Sequence, residues 1–333
     1  MPPVSFFQNR LNTVSNNKPL IVICAPTACG KTAFAEALFA CGARSPFAGK
    51  AEIISADSMQ VYRGFDIGTA KPDASLLKRL PHHLIDICDP RGAFGAGDFV
   101  RQTLAACKDI YARKKLPVIV GGTGFYIRNF MYGLPPTPRA DTALREHIAC
   151  RMEKEGAQKL HEELARMDPL SAQKIHIHDE YRIKRALEIC IASGKPLSAF
   201  TPEKKKRAGF SFLILSLQRS RAELYRRIDM RLQTMFDKGL ENEVRTLVAS
   251  GSRAGDPAMQ AIGYREFFTQ EGTLISDTEK VKERIKKDSR AYVKRQQTFF
   301  KTFSDALPLE ADDINGGEKK IAEFLDSAHN VLD

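Results

Sequence analysis

The 333-residue chain has no Cys-x-x-Cys pair and no clustering of cysteine with histidine, so the spacing of a structural zinc site is missing. Its seven cysteines, at 24, 29, 41, 88, 107, 150 and 190, are an odd number without a pairing pattern. That excludes a disulfide scaffold and suits a reducing compartment, the cytoplasm. No apolar run approaches the roughly 20 residues needed to cross a bilayer. The first residues lack a basic flank followed by an apolar core, so neither a membrane span nor a secretion signal is expected. Internal repeats and low-complexity tracts are also missing. What remains is length enough for one large domain or two, and a basic balance of 51 Lys+Arg against 40 Asp+Glu. Such an excess favours contact with polyanions but does not by itself identify one.

The most informative stretch is PLIVICAPTACGKTAFAEAL, residues 19–38. An apolar run from Leu20 to Cys24 ends at Ala25-Pro26, and a turn through Thr27, Ala28, Cys29 and Gly30 follows. Lys31 and Thr32 then open an apolar-periodic segment. Strand, turn and helix in this order form a phosphate loop: backbone N–H groups and the helix N-terminus converge on one anion. Lys31 serves as a point charge on a phosphate, and the Thr32 hydroxyl as a ligand to Mg²⁺. The strict pattern has Gly where this chain has Ala25.

Ala51 to Ser55 reads as a second buried strand running into Asp57-Ser58-Met59-Gln60, and His83 to Ile87 as a third. Phe99 to Leu116 has helical apolar spacing, with Asp98 as its N-cap, and Pro117 to Val120 is a strand before Gly121-Gly122-Thr123-Gly124. Alternating strands and helices imply a parallel sheet covered on both faces. After the prolines at 135, 136 and 138 the pattern turns helical and charged, with stops at Asp168-Pro169 and Ser193-Gly194-Lys195-Pro196. The strand pattern resumes at Phe212 to Leu217. The chain is therefore read as an α/β core (1–139 and 206–333) carrying a helical insertion (140–205). Ser220 with Glu223, and Ser276 with Glu279, read as capping boxes for two long helices.

Asp57, at a strand end beside the phosphate loop, suits a Mg²⁺ ligand, a turn cap or a general base, and its spacing does not choose among them. The strand Val118 to Val120 ends in Gly121-Gly122 where phosphate-loop hydrolases usually have a metal-holding Asp, while the strand His83 to Ile87 carries Asp86. The usual ATPase arrangement is not evident, which points away from a motor or switch and toward a transferase. Arg227 and Arg231 share a helix face, as do Arg182 and Arg185; each pair is either a phosphate clamp or a solvated basic face. Gln260-Ala261-Ile262-Gly263-Tyr264-Arg265 places an aromatic ring and a cation around a Gly, a mixture suited to stacking on a base. His82-His83 and His176-Ile177-His178 have no carboxylate or cysteine partner nearby and read as structural; Lys204 to Arg207 reads as a solvated loop.

Seven blocks, APTACGKT, ISADSMQVYRGFDIGTAKP, PHHLIDICDP, GGTGFYIRNFMYGL, IHIHDEYRIKRALE, QAIGYREF and AYVKRQQTFF, occur in an order that resembles the tRNA dimethylallyltransferases, the bacterial-type tRNA isopentenyltransferases. The resemblance covers about residues 19–303. It implies a nucleotide-kinase-like phosphate-loop core with a helical insertion. The implied reaction moves a dimethylallyl group from dimethylallyl diphosphate to N6 of the adenine at tRNA position 37, releasing diphosphate. It further implies a cytoplasmic monomer that needs Mg²⁺ and recognises the anticodon stem-loop. By the same matching, Asp57 is the base, Thr32 holds Mg²⁺ and Arg231 acts on the leaving group. Residues Ala25 to Thr32 and Arg227 hold diphosphate. Contact with tRNA falls to Asp57, Ser58, Met59, Gln60, Thr123, Arg145, Tyr181, Arg182, Ile183, Lys184, Arg185, Gln260, Ala261, Ile262, Gly263, Tyr264 and Arg265. Three positions depart from the family pattern. Ala25 replaces Gly and is expected to restrict the turn. Cys29 replaces Ser and is expected, among loop amides and near Lys31, to have a lowered thiol pKa and to react with thiol reagents unless diphosphate protects it. Phe299 stands where Trp is usual. The alternatives are a prenyltransferase acting on free adenine nucleotides, a phosphate-loop kinase and a non-catalytic RNA-binding protein.

Overall fold

Strand and helix alternation resolves, in a computed structural model that describes residues 17–138, 141–200 and 205–327, into one parallel sheet flanked by helices. Its strands are β1 (Lys18–Cys24), β2 (Ala51–Ser55), β3 (His82–His83), β4 (Leu116–Gly121), β5 (Phe210–Gln218) and β6 (Leu307–Glu310), in the order β3-β2-β4-β1-β5-β6. β1 lies between β4, with Ile21 beside Val118, and β5, with Lys18 beside Phe210. Six of its seven residues are buried, the burial pattern of a strand covered on both faces. The chain goes from β1 to one side of the sheet first and returns later to build β5 and β6 on the other. The carboxyl ends of β1 and β4 therefore lie where the strand order reverses, the usual position of a ligand crevice in open α/β sheets.

The helices of this core are α1 (Lys31–Phe39), α2 (Ala74–Arg79), α3 (Ala96–Ala112), α4 (Gly124–Tyr132), α8 (Arg221–Asp237), α9 (Leu240–Ala249), α10 (Thr278–Phe300) and α11 (Ile314–Ser327). By contact the chain divides into two compact units. One runs up to Phe130 and resumes at Ala208; the other is Met131–Arg207. The second unit contains α5 (Thr142–Met167), bent at Gly156 where φ is +81°, then α6 (Pro169–Ala172) and α7 (Glu180–Ser193). Its own core packs Ile148, Met152, Leu160, Leu164, Ile183 and Leu187. Asp168 ties that unit together, accepting bonds from the backbone N–H and hydroxyl groups of both Ser171 and Ser198 at 2.6–3.1 Å. None of the described helices is long and apolar enough to cross a membrane. The N-terminal segment, the 139/140 boundary and Lys204 lie outside the described residues.

Three local expectations need correction. The third strand is two residues long, because Leu84 and Asp86 adopt φ of +65° and +56° and turn the chain out of the sheet. Asp98 lies inside α3 at its third position, where it accepts the Gly95 N–H at 3.1 Å; Gly95 is the cap. α10 is capped by Asp277, which accepts from Lys280 N–H at 3.0 Å, one residue beyond the Ser276 expected. Short polar residues adjacent in sequence compete for a cap, and side-chain geometry decides between them.

Candidate active site

The turn between β1 and α1 is shaped by its own backbone. Cys29 N–H donates to Pro26 O at 3.3 Å, and Phe34 N–H to Gly30 O at 3.0 Å. Gly30, at φ +107°, is the α1 N-cap, a conformation that L side chains avoid. Ala28 takes φ +60° against its usual preference, whereas Ala25 is buried and is not among the positive-φ residues. The alanine in the glycine position therefore imposes no left-handed strain. No acidic residue occupies the first turn of α1, so the helix end remains favourable to an anion.

Three side chains from α8 and its entry loop grip this turn. Arg231 donates to Thr27 Oγ1 at 3.1 Å and to Thr69 O at 3.4 Å, and burial depresses its pKa. Arg227 Nε donates to Ala28 O at 2.8 Å. Arg219 Nε donates to Cys29 O at 2.7 Å. From α10, Gln296 accepts Thr27 N–H and donates to Gly122 O, each at 2.9 Å, joining the phosphate loop to the end of β4. Lys31 Nζ donates to Ala25 O at 2.9 Å and Pro26 O at 2.8 Å. Burial lowers its pKa to about 8, although the charge of Asp57 opposes that shift. Thr32 is exposed at the start of α1.

All of these side chains except Arg219 border a cavity of about 680 Å³. Thr27, Lys31 and Thr32 line one part; Asp57, Met59 and Gln60 another; Gly68 to Ala70, Gln260 to Gly263, Ser289, Tyr292 and Arg295 complete it. Asp57 Oδ1 accepts the N–H groups of Met59 (2.9 Å) and Gln60 (3.3 Å), which fixes the carboxylate at the strand end. Gln60 is in turn held by Ser55 Oγ at 3.0 Å, and Ser58 N–H donates to Thr123 Oγ1 at 3.1 Å. The volume falls in the range of small-molecule sites. A helix N-terminus and cations favourable to an anion, beside a fixed carboxylate, suit group transfer from a phosphorylated donor to a protic nucleophile.

The expected site residues therefore divide. Thr27, Ala28, Gly30, Lys31, Thr32, Asp57 to Gln60, Arg227, Arg231 and most of Gln260 to Arg265 meet around the cavity, whereas Ala25, Pro26 and Cys29 do not line it. Tyr264 does not face a ligand. It is fully buried against Phe65, with ring centroids 4.7 Å apart; its hydroxyl donates to Glu243 at 2.6 Å and accepts Gly68 N–H at 3.0 Å. It positions the 66–68 loop and cannot stack on a base. Arg265 is engaged by Glu266 and Asp288. In the helical unit, Tyr181 and Arg182 are 76% and 67% exposed, and Arg145 and Arg185 pair with Glu188. Ile183 is core there and makes no outward contact. Cys29 is buried, its thiol donating to Leu217 O at 3.5 Å, and burial pushes its pKa up despite the nearby Lys31. The expected reactive thiol is absent because desolvation outweighs the neighbouring charge. Gln296, Tyr292, Ser289, Arg295 and Arg219 were not singled out from sequence; a polar residue on the apolar stripe of α10, as Gln296 is, was the available signal. His83 pairs with Glu52, which also holds Arg113, and His82 Nδ1 lies 2.7 Å from Leu80 O.

A sequence model of the family described as IPP transferase matches residues 60–303. The chain is 41% identical over 293 residues to the tRNA dimethylallyltransferase of Geobacter sulfurreducens, spanning 87% of this chain and 91% of that one. It is similar in structure to the full-length tRNA isopentenylpyrophosphate transferase of Bacillus halodurans, with TM-score 0.65, 33% identity and coverage of 94% of this chain and 98% of the other. A eukaryotic dimethylallyltransferase acting on tRNA is similar with TM-score 0.74 at 27% identity, over 92% of this chain and 77% of that one.

Proposed function

Because the chain belongs to the IPP transferase family, we propose that it is a tRNA dimethylallyltransferase that moves a dimethylallyl group from dimethylallyl diphosphate to N6 of an adenine in tRNA, that of position 37. The observation that carries this reading is the meeting of Asp57 with Lys31, Arg227 and Arg231 around one cavity. The adenine amino group is a weak nucleophile because its lone pair is delocalised into the ring. Asp57 accepts the departing proton as N6 bonds to the allylic carbon; its Oδ1 is taken by two backbone N–H groups, which leaves Oδ2 for that proton. The carbon–oxygen bond to diphosphate breaks, and negative charge grows on the leaving oxygens. The loop N–H groups, Lys31, Arg227 and Arg231 stabilise that charge, and their positions are set before substrate arrives.

The donor set at the helix start is one exposed hydroxyl, Thr32, and the described residues contain no cluster of three His, Cys, Asp or Glu. That matches Mg²⁺, which is commonly held by one or two protein oxygens together with substrate phosphates and water. When bound there it would neutralise diphosphate charge. Asp57 to Gln60 and Gln260 to Gly263 would border the splayed-out base, since reaching a crevice requires the adenine to leave its stack. Tyr181 and Arg182 would meet the anticodon stem-loop. The protein works as a monomer in the cytoplasm.

The test is incubation with labelled dimethylallyl diphosphate, Mg²⁺ and unmodified tRNA, followed by nucleoside analysis. N6-dimethylallyladenosine is expected, and its absence ends the proposal. Asp57→Asn should lower the rate of transfer by roughly 10²–10⁴-fold while tRNA binding persists. Transfer to AMP in preference to an anticodon stem-loop would reassign the substrate.

A further inference from the structure

We propose that Arg219, held by Asp312, is a positioning residue that aims the Gly30 N–H at the bound diphosphate; the inference rests on the reading of the loop as a diphosphate cradle. Arg219 is 12% exposed and does not line the cavity, whereas Gly30 does. Its Nε donates to Cys29 O at 2.7 Å. Carbonyl and N–H of a trans peptide point in opposite directions. Anchoring Cys29 O on a group behind the loop therefore turns the N–H of the same peptide, that of Gly30, toward the cavity. Gly30 is at φ +107°, and the space a Cβ would occupy lies 3.6 Å from Arg219 Nη2 and 3.8 Å from Arg227 Nη2. Arg227 holds the preceding carbonyl, Ala28 O, in the same way. Two successive peptides of the turn are thus oriented by two guanidinium groups.

Arg219 does this work without touching substrate. Both of its terminal nitrogens are taken by Asp312: Nη1 donates to Oδ2 at 2.8 Å and Nη2 to Oδ1. The bidentate geometry fixes the guanidinium plane and leaves Nε facing Cys29. Asp312 is 78% exposed, in the connection between β6 and α11, and has no other role visible in the site. The pair is close to neutral, so its contribution is orientation rather than attraction.

That distinction makes the test decisive. The full chain and its Arg219→Ala, Asp312→Asn and doubly substituted variants are titrated with inorganic diphosphate in the presence of Mg²⁺. KM is measured for dimethylallyl diphosphate and for tRNA. Arg219→Ala is expected to weaken diphosphate about tenfold, the scale of one charge-assisted hydrogen bond, and to raise KM for the prenyl donor equally. KM for tRNA should change less than about twofold. Asp312→Asn is expected to weaken diphosphate about threefold, and the double variant to match Arg219→Ala alone, because Asp312 acts only through Arg219. Tighter diphosphate binding by Asp312→Asn would mean that Asp312 acts by charge and overturns the proposal. So would unchanged affinity in Arg219→Ala, or parallel rises in both KM values with a lowered thermal midpoint. Should Arg219→Ala not fold, Asp312→Asn, which keeps the arginine, decides. Failure of the unsubstituted chain to bind diphosphate would instead remove the reading of the cradle.

Discussion

Lys31 makes the site sensitive to pH. Burial lowers its pKa to about 8, and its ammonium donates to the carbonyls of Ala25 and Pro26. A diphosphate beside it restores the preference for charge, so binding above about pH 8 takes up a proton. Affinity for dimethylallyl diphosphate should be flat below about pH 8 and fall above it, approaching tenfold per pH unit. Calorimetry in two buffers of different ionisation enthalpy should show proton uptake that Lys31→Met abolishes. The stability term has the opposite sign to that of a salt-bridged lysine. Its pKa in the folded chain is below the unfolded value, so the unfolded chain binds more protons between about pH 8 and 10.5, and this group's contribution to stability rises with pH across that window. Cys29 gives a second residue-scale prediction. Mass mapping after brief alkylation should find the exposed Cys41 and Cys150 modified first, and Cys29 slow to react with or without diphosphate. The sequence places Cys29 beside a cation, but it does not reveal that β5 and Arg219 close over the loop and desolvate it.

At the scale of elements, Gln296 is the joint between α10, the phosphate loop and the end of β4. Gln296→Leu removes the partner of Thr27 N–H and one of the two partners of Gly122 O, which still accepts Gly124 N–H at 3.1 Å, and should cost about 1–3 kcal/mol, read by denaturant unfolding. Weaker diphosphate binding should accompany that loss. β4 ends tightly: a Cβ on Gly121 would lie 2.1 Å from Ala56 O, a backbone atom that cannot swing aside. Gly121→Ala should therefore destabilise by about 1–3 kcal/mol and lower prenyl transfer by displacing the adjacent Asp57 segment. Strands β1, β2, β4 and β5 were legible because burial on both faces demands continuous apolar runs. β3 was overextended because HLIDI has a strand's composition, while the two positive-φ residues that end it, Leu84 and Asp86, carry no glycine signal. The same limit applies to the caps. Asp277 and Ser276 offer similar chemistry, and only the path of the chain chooses between them.

At the scale of the whole molecule, Arg182 belongs to the helical unit Met131–Arg207, and the cavity proposed to hold diphosphate belongs to the other unit. Arg182→Ala, with Tyr181 intact, should weaken tRNA binding without changing diphosphate affinity, and should reduce the slope of log affinity against log salt by about one if its partner is a phosphate. Titrations at several salt concentrations would show an unchanged slope if that arginine is only a solvated surface group. The change in periodicity after the prolines at 135–138 put the start of a helical insertion at 140, whereas the compact helical unit runs from Met131 to Arg207. The burial of Ile183 and Tyr264 was not legible: Ile183 follows the exposed Tyr181 and Arg182, Tyr264 sits in a largely buried segment, and a motif does not record which of its side chains turn inward. The strand order has one more consequence, for synthesis of the chain. β1 and the phosphate loop are made first, yet β1 is paired on one side with β5, and the loop is held by Arg219, Arg227, Arg231 and Gln296. On a ribosome the cradle must wait, unassembled, until α10 has emerged from the exit tunnel. A nascent chain stalled before that point would hold the complete phosphate-loop motif and bind no diphosphate.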